Sequence, residues 1–64
     1  MSYEHIRVEH RDGVARLTLN RPDERNAMTL AMGREVERAV AALNGDDSVR
    51  VVVVTGAGKA FSSG

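Results

Sequence analysis

Arg50-Val51-Val52-Val53-Val54-Thr55-Gly56-Ala57-Gly58-Lys59 is the stretch that decides how this chain folds. Five β-branched residues follow one another without polar alternation, a pattern suited to a strand covered on both faces and usually paired in parallel. Parallel strands are joined by a crossover connection, usually a helix, so the neighbouring segments are read for one. Downstream, Gly56-Ala57-Gly58-Lys59-Ala60-Phe61-Ser62-Ser63-Gly64 reads as a glycine- and serine-rich loop.

The upstream chain supplies such a helix. Met28, Met32, Val36, Ala39, Val40 and Leu43 recur at spacings of three and four, the apolar stripe of a helix. Thr29 is the expected N-cap, its hydroxyl meeting the free N–H groups of the first turn. Asn44-Gly45 is the expected stop, with Gly45 in the left-handed conformation. Arg34, Glu35, Glu37 and Arg38 are assigned to the solvated face. Gly33 costs about 1 kcal/mol relative to Ala and marks either a close backbone contact or a tolerated defect. Asp46-Asp47-Ser48 is a polar connection into the valine strand. Before the helix, Asn20-Arg21-Pro22-Asp23-Glu24-Arg25-Asn26 is polar and holds a proline without a ladder donor, so a loop is expected.

Earlier still, the pattern alternates. In Tyr3 to His10, Ile6 and Val8 share one face while Arg7 and Glu9 share the other. In the next segment Ala15, Leu17 and Leu19 oppose Arg16 and Thr18. Asp12-Gly13 between them favours positive φ, so the two strands form a β-hairpin. The order is β-hairpin, helix, parallel strand, ββαβ in an α/β class, with a right-handed crossover expected.

The chain has 64 residues, 42% hydrophobic and 28% charged, with nine basic and nine acidic side chains. Zero net charge argues against nucleic acid as a main partner, because phosphate binding needs a surplus of cations. With no cysteine, neither disulfides nor thiolate metal sites can staple so short a chain. No apolar run approaches the length of a membrane span, and the opening Met1-Ser2-Tyr3-Glu4-His5 lacks the features of a secretory signal, so the cytoplasm is the expected compartment. With one Phe, one Tyr and no Trp, the core is thin: the sequence is either idealised or part of something larger.

Several chemistries fail on spacing. A phosphate cradle needs Gly, four residues, then Gly-Lys-Ser/Thr; Gly58-Lys59 is followed by Ala60, and Val53 stands where the first Gly belongs. A dinucleotide fingerprint begins at Gly56-x-Gly58, but Phe61 replaces its third Gly. His5 and His10 lack a third ligand and read as surface residues. Ser63 has no His-Asp pair to activate it and reads as a turn former. Met28 and Met32 read as core, Asp46-Asp47 as a turn, and Lys59 as a loop-surface residue, with contact to a phosphate as the lesser alternative.

Two spaced motifs carry a resemblance. Leu17-Thr18-Leu19-Asn20-Arg21-Pro22 with Arg25-Asn26-Ala27-Met28, and Arg50 to Gly56 followed by Gly58-Lys59-Ala60-Phe61-Ser62-Ser63-Gly64, together resemble the crotonase (enoyl-CoA hydratase/isomerase) superfamily from about Ile6 to Gly64. The resemblance implies the opening of a spiral of ββα turns, with 1–64 the N-terminal part of a crotonase-like domain that ends within the acyl-CoA loop. It implies acyl-CoA thioesters as substrates, no cofactor beyond the coenzyme A they carry, and a homotrimer or hexamer. It also implies an oxyanion held by two backbone N–H donors, each worth about 3–4 kcal/mol. Arg25, the backbone of Ala27, Ser63 and Gly64 match positions that bind the coenzyme A part, while Asn26 is expected to pin the loop. The first oxyanion donor would follow Gly64, and the acid–base residues lie farther on, so no catalytic residue is expected in these 64. The alternative from another class is a non-catalytic truncated product, or an interaction module that pairs through its exposed valine strand.

Overall fold

The computed structural model describes residues 3–59, 61 and 62. Strand β1 (Ile6–Arg11) and strand β2 (Val14–Leu19) form the expected hairpin. Asp12 and Gly13 both adopt positive φ at the turn, +54° and +83°. Helix α1 (Leu30–Asn44) follows, and strand β3 (Val51–Gly56) pairs in parallel with β2. The sheet order is β1-β2-β3, with β2 in the centre.

The core lies between one face of the sheet and α1. Register places Ile6 beside Leu19 and Val8 beside Leu17. Ile6, Leu17, Leu19, Met32 and Ala39 are sealed together, with Tyr3, Val8 and Val36 packed against them. A fully buried Leu contributes roughly 1.5–3 kcal/mol, so this small cluster supplies most of the apolar stabilisation. Thr29 caps α1 as expected, its Oγ1 accepting the Met32 N–H at 3.1 Å. Among the described residues no helix is long and apolar enough to cross a membrane.

Six expectations need correction. Strand β1 begins at Ile6 rather than Tyr3, because the Glu4 and His5 N–H groups go to a side chain instead of a neighbouring strand. That side chain is Glu35, which is buried rather than solvated. It lies roughly 60° around the helix from Met32, inside the stripe's border, whereas Val40 lies roughly 80° away on the other side and is exposed. Burial acts to raise the Glu35 carboxyl, but the two backbone N–H groups and the charges of His5 and Arg38 outweigh it and hold the group below its ordinary value. Met28 precedes the Thr29 cap, so helical periodicity does not apply to it, and it is exposed.

Gly45 is right-handed (φ −84°): its N–H still bonds Ala41 O at 3.2 Å, and the chain turns at Asp46, whose carboxylate accepts the Ser48 N–H and hydroxyl. Finally, Val51, Val52, Val53 and Val54 remain 38–52% exposed instead of sandwiched. Helix α1 packs toward β1, and the β3 valines are left largely uncovered among the described residues. At Gly33 an added methyl would meet nothing within 4 Å, so the tolerated-defect reading holds within this chain.

Candidate functional site

The loop after β2 is shaped by main-chain constraints. Pro22 lacks an N–H and opens a single 3-10 turn, Pro22–Glu24. The chain then takes two consecutive left-handed residues, Arg25 (φ +51°) and Asn26 (φ +57°). Asn tolerates this region, but for Arg it costs about 1 kcal/mol or more. Three backbone bonds offset that strain: Arg25 N–H to Pro22 O at 3.1 Å, Asn26 N–H to Arg21 O at 2.8 Å, and Ala27 N–H to Glu24 O at 3.0 Å.

Asn26 joins this loop to the one after β3. Its side chain is fully buried; Oδ1 accepts the Arg21 N–H at 2.7 Å, and Nδ2 donates to Ala57 O at 2.9 Å. The Ser62 hydroxyl donates to Asn26 O at 2.9 Å, and Ala57 N–H bonds Leu19 O at 2.8 Å. At Gly58 (φ +79°) a Cβ would come within 2.9 Å of Pro22 Cβ, so only glycine lets the loops meet.

Against this junction lies an open cleft of about 490 Å³ lined by Pro22, Asp23, Arg25, Gly58 and Lys59. Arg25 and Lys59 are both exposed, and among the described residues neither is in an ion pair. Two cations from different loops therefore border one cleft, a chemistry suited to an anionic ligand. Asp23 on the same rim offsets part of that positive charge.

Of the residues singled out by sequence, Arg25 lies on the cleft. The Ala27 N–H is already donated to Glu24, and its carbonyl accepts Arg21 Nη1 at 3.2 Å; the second lone pair of that carbonyl is what the Ala27 backbone can offer a ligand. Ser63 and Gly64 lie outside the described residues. Asn26 pins the loop as expected. Sequence reading missed the Arg21 clamp and the Ser62 tie, whose partners are backbone carbonyls that leave no mark on composition. Among the described residues no group of three or more His, Asp or Glu is arranged to hold a metal ion.

Comparison with known proteins adds the family. The enoyl-CoA hydratase/isomerase profile matches residues 9–64. The chain belongs to that family. It is 48% identical over 60 residues to a Mycobacterium bovis protein named "Probable enoyl-CoA hydratase echA12", covering 92% of this chain and 21% of that protein. It is 44% identical over 63 residues to 4-chlorobenzoyl coenzyme A dehalogenase-2 of an Arthrobacter species, covering 98% of this chain and 23% of the other. The crystal structure of an enoyl-CoA hydratase/isomerase from Mycobacterium paratuberculosis superposes with a TM-score of 0.96 at 43% identity, covering 98% of this chain and 25% of that one. The chain thus spans between a fifth and a quarter of the length of these relatives. A protein named as a probable hydratase and one named as a dehalogenase match at 48% and 44% identity, so similarity over this segment does not single out one reaction.

Proposed function

We propose that this segment supplies the coenzyme A side of an acyl-CoA site, in a polypeptide of enoyl-CoA hydratase/isomerase type. The observation that carries the reading is the pair of loops locked through Asn26, with Arg25 and Lys59 bordering a single cleft. In a chain of the relatives' length, hydration or isomerisation of a 2-enoyl-CoA proceeds through an enolate stabilised by backbone donors outside the described residues. The thioester is the partner, a homotrimer or hexamer the assembly, and the cytoplasm the compartment. No cofactor beyond the substrate's own coenzyme A is required.

The exposed valines of β3 favour a second reading, a non-catalytic module that pairs through that strand. Calorimetric titration separates the two. Under the first, coenzyme A binds, Arg25→Ala weakens it by about three- to tenfold, and pantetheine, which lacks phosphate, binds equally to both forms. In a full-length enzyme carrying this segment, Arg25→Ala raises KM more than it lowers kcat, because the contact is remote from the carbonyl. A fall in kcat at constant KM overturns the assigned role.

A further inference from the structure

Glu35 sits in the second turn of α1, and its carboxylate accepts two successive backbone N–H groups from the segment before β1. Oε2 takes Glu4 N–H and Oε1 takes His5 N–H, both at 2.7 Å. His5 also accepts on its carbonyl, from Asn20 N–H at 2.9 Å, and Asn20 is the first residue of the loop that carries Arg25. The far end of that loop runs through Ala27 and Met28 into the Thr29 cap of α1, the helix that bears Glu35. One carboxylate therefore ties together the two feet of the loop, the Asn20 foot through His5 and the Thr29 foot through α1. Between the feet, Asn26 holds Arg21 and Ala57.

We infer that Glu35 is a positioning residue that sets the separation of the two ends of the Asn20–Thr29 loop, acting through His5. That the loop so held meets coenzyme A rests on the functional reading above. The chemistry demands a carboxylate. Two adjacent N–H donors need two acceptor oxygens, whereas an amide of the same shape has one and would set its NH₂ against the other donor. The titratable and charged groups that line the same cleft as Glu35 are Tyr3, Glu4, His5, Arg34, Glu37 and Arg38. Beyond the two backbone N–H groups, the charges of His5 and Arg38 help hold the carboxyl in its ionised form.

The test is amide hydrogen exchange followed by NMR, without ligand, on Glu35→Gln and on Ala39→Gly. The second variant loosens α1 at a buried site and leaves the carboxylate intact. Positioning predicts that Glu35→Gln speeds exchange at His5, Asn20 and Asn26 about tenfold beyond the change in Ala39→Gly. Equal acceleration in the two variants, or acceleration confined to Glu4 and His5, overturns it.

A pH titration of the unsubstituted chain decides the matter if Glu35→Gln does not fold. The Glu4, His5 and Asn20 amide shifts should move with one midpoint below the ordinary carboxylate value, and that midpoint should survive Glu4→Gln and Glu37→Gln. An Asn20 amide that ignores this titration, or follows Glu4 or Glu37, overturns the role. Coenzyme A titration judges the functional reading separately: an amide response in a chain that binds no coenzyme A sinks that reading and upholds the positioning role.

Discussion

Leu17 and Val54 are register neighbours on the same face of one sheet, yet Leu17 is fully buried and Val54 is 46% exposed. The difference is what lies above them. Helix α1 leans toward β1 and seals Ile6, Leu17 and Leu19, leaving the β3 side of that face bare. The chain therefore has a closed half, β1, β2 and α1, which carries the core. Its open half, β3, is held by its ladder to β2 and by the Asn26 junction. Apolar side chains state a demand for cover; only a neighbouring element supplies it.

The sharpest way to break this comparison is a matched pair of truncations. Leu17→Ala should cost about 2–5 kcal/mol, because a sealed side chain leaves a cavity. Val54→Ala should cost less than about 1 kcal/mol, because the side chain is already half in water. Urea denaturation reads both, and equal losses would show that something covers β3 in solution. Next comes Asn26→Ala, which strips a partner from the Arg21 N–H and from the Ala57 carbonyl. It should cost about 2–4 kcal/mol and speed exchange of the β3 amides ahead of those in β1. If β1 and β3 respond together, the two halves are one cooperative unit.

Glycine offers the same contrast at smaller amplitude. Gly58→Ala pairs a positive φ with a 2.9 Å approach to Pro22 and should destabilise by about 1–3 kcal/mol. Gly33→Ala enters open space on a regular helix and should stabilise by about 0.5–1 kcal/mol. Thermal melts of the two should shift in opposite directions. The smallest effect concerns acid. Glu35 has a lowered folded-state value, so the stability it confers is complete above the unfolded carboxylate value and fades as pH falls through the folded one. Unsubstituted chain should lose stability relative to Glu35→Gln across that window, and parallel pH curves would deny the carboxylate its role.

Much of the closed half was legible because its rules are local. Asp12-Gly13 demands positive φ, alternation fixes which face of β2 is buried, and Thr29 caps the helix that follows it. Glu35 was not legible. Its partners are main-chain N–H groups 30 and 31 residues away, which any residue but proline carries. The stripe on α1 showed its own width but not that one border would be an acid and the other a wet valine. In the candidate site, Asn26 and Arg25 stood out through the motif around them. The Arg21 and Ser62 ties, made to carbonyls of distant or neighbouring residues, did not. The valine run correctly announced a parallel strand while overstating its burial, because a strand pattern reports the environment it suits rather than the one it meets.

The parallel pairing of β2 with β3 also sets an order in time. The hairpin closes across the two-residue turn Asp12-Gly13, within about 1–10 μs. Strand β3 can dock only after the chain has closed a far longer loop through α1, and the Asn26–Ala57 bond that secures it spans 31 residues. Folding should therefore proceed from the hairpin and helix outward, with the cleft between the two loops assembled last. Until then Arg25 and Lys59 belong to separate pieces of chain, and the cleft comes into being only with the final strand.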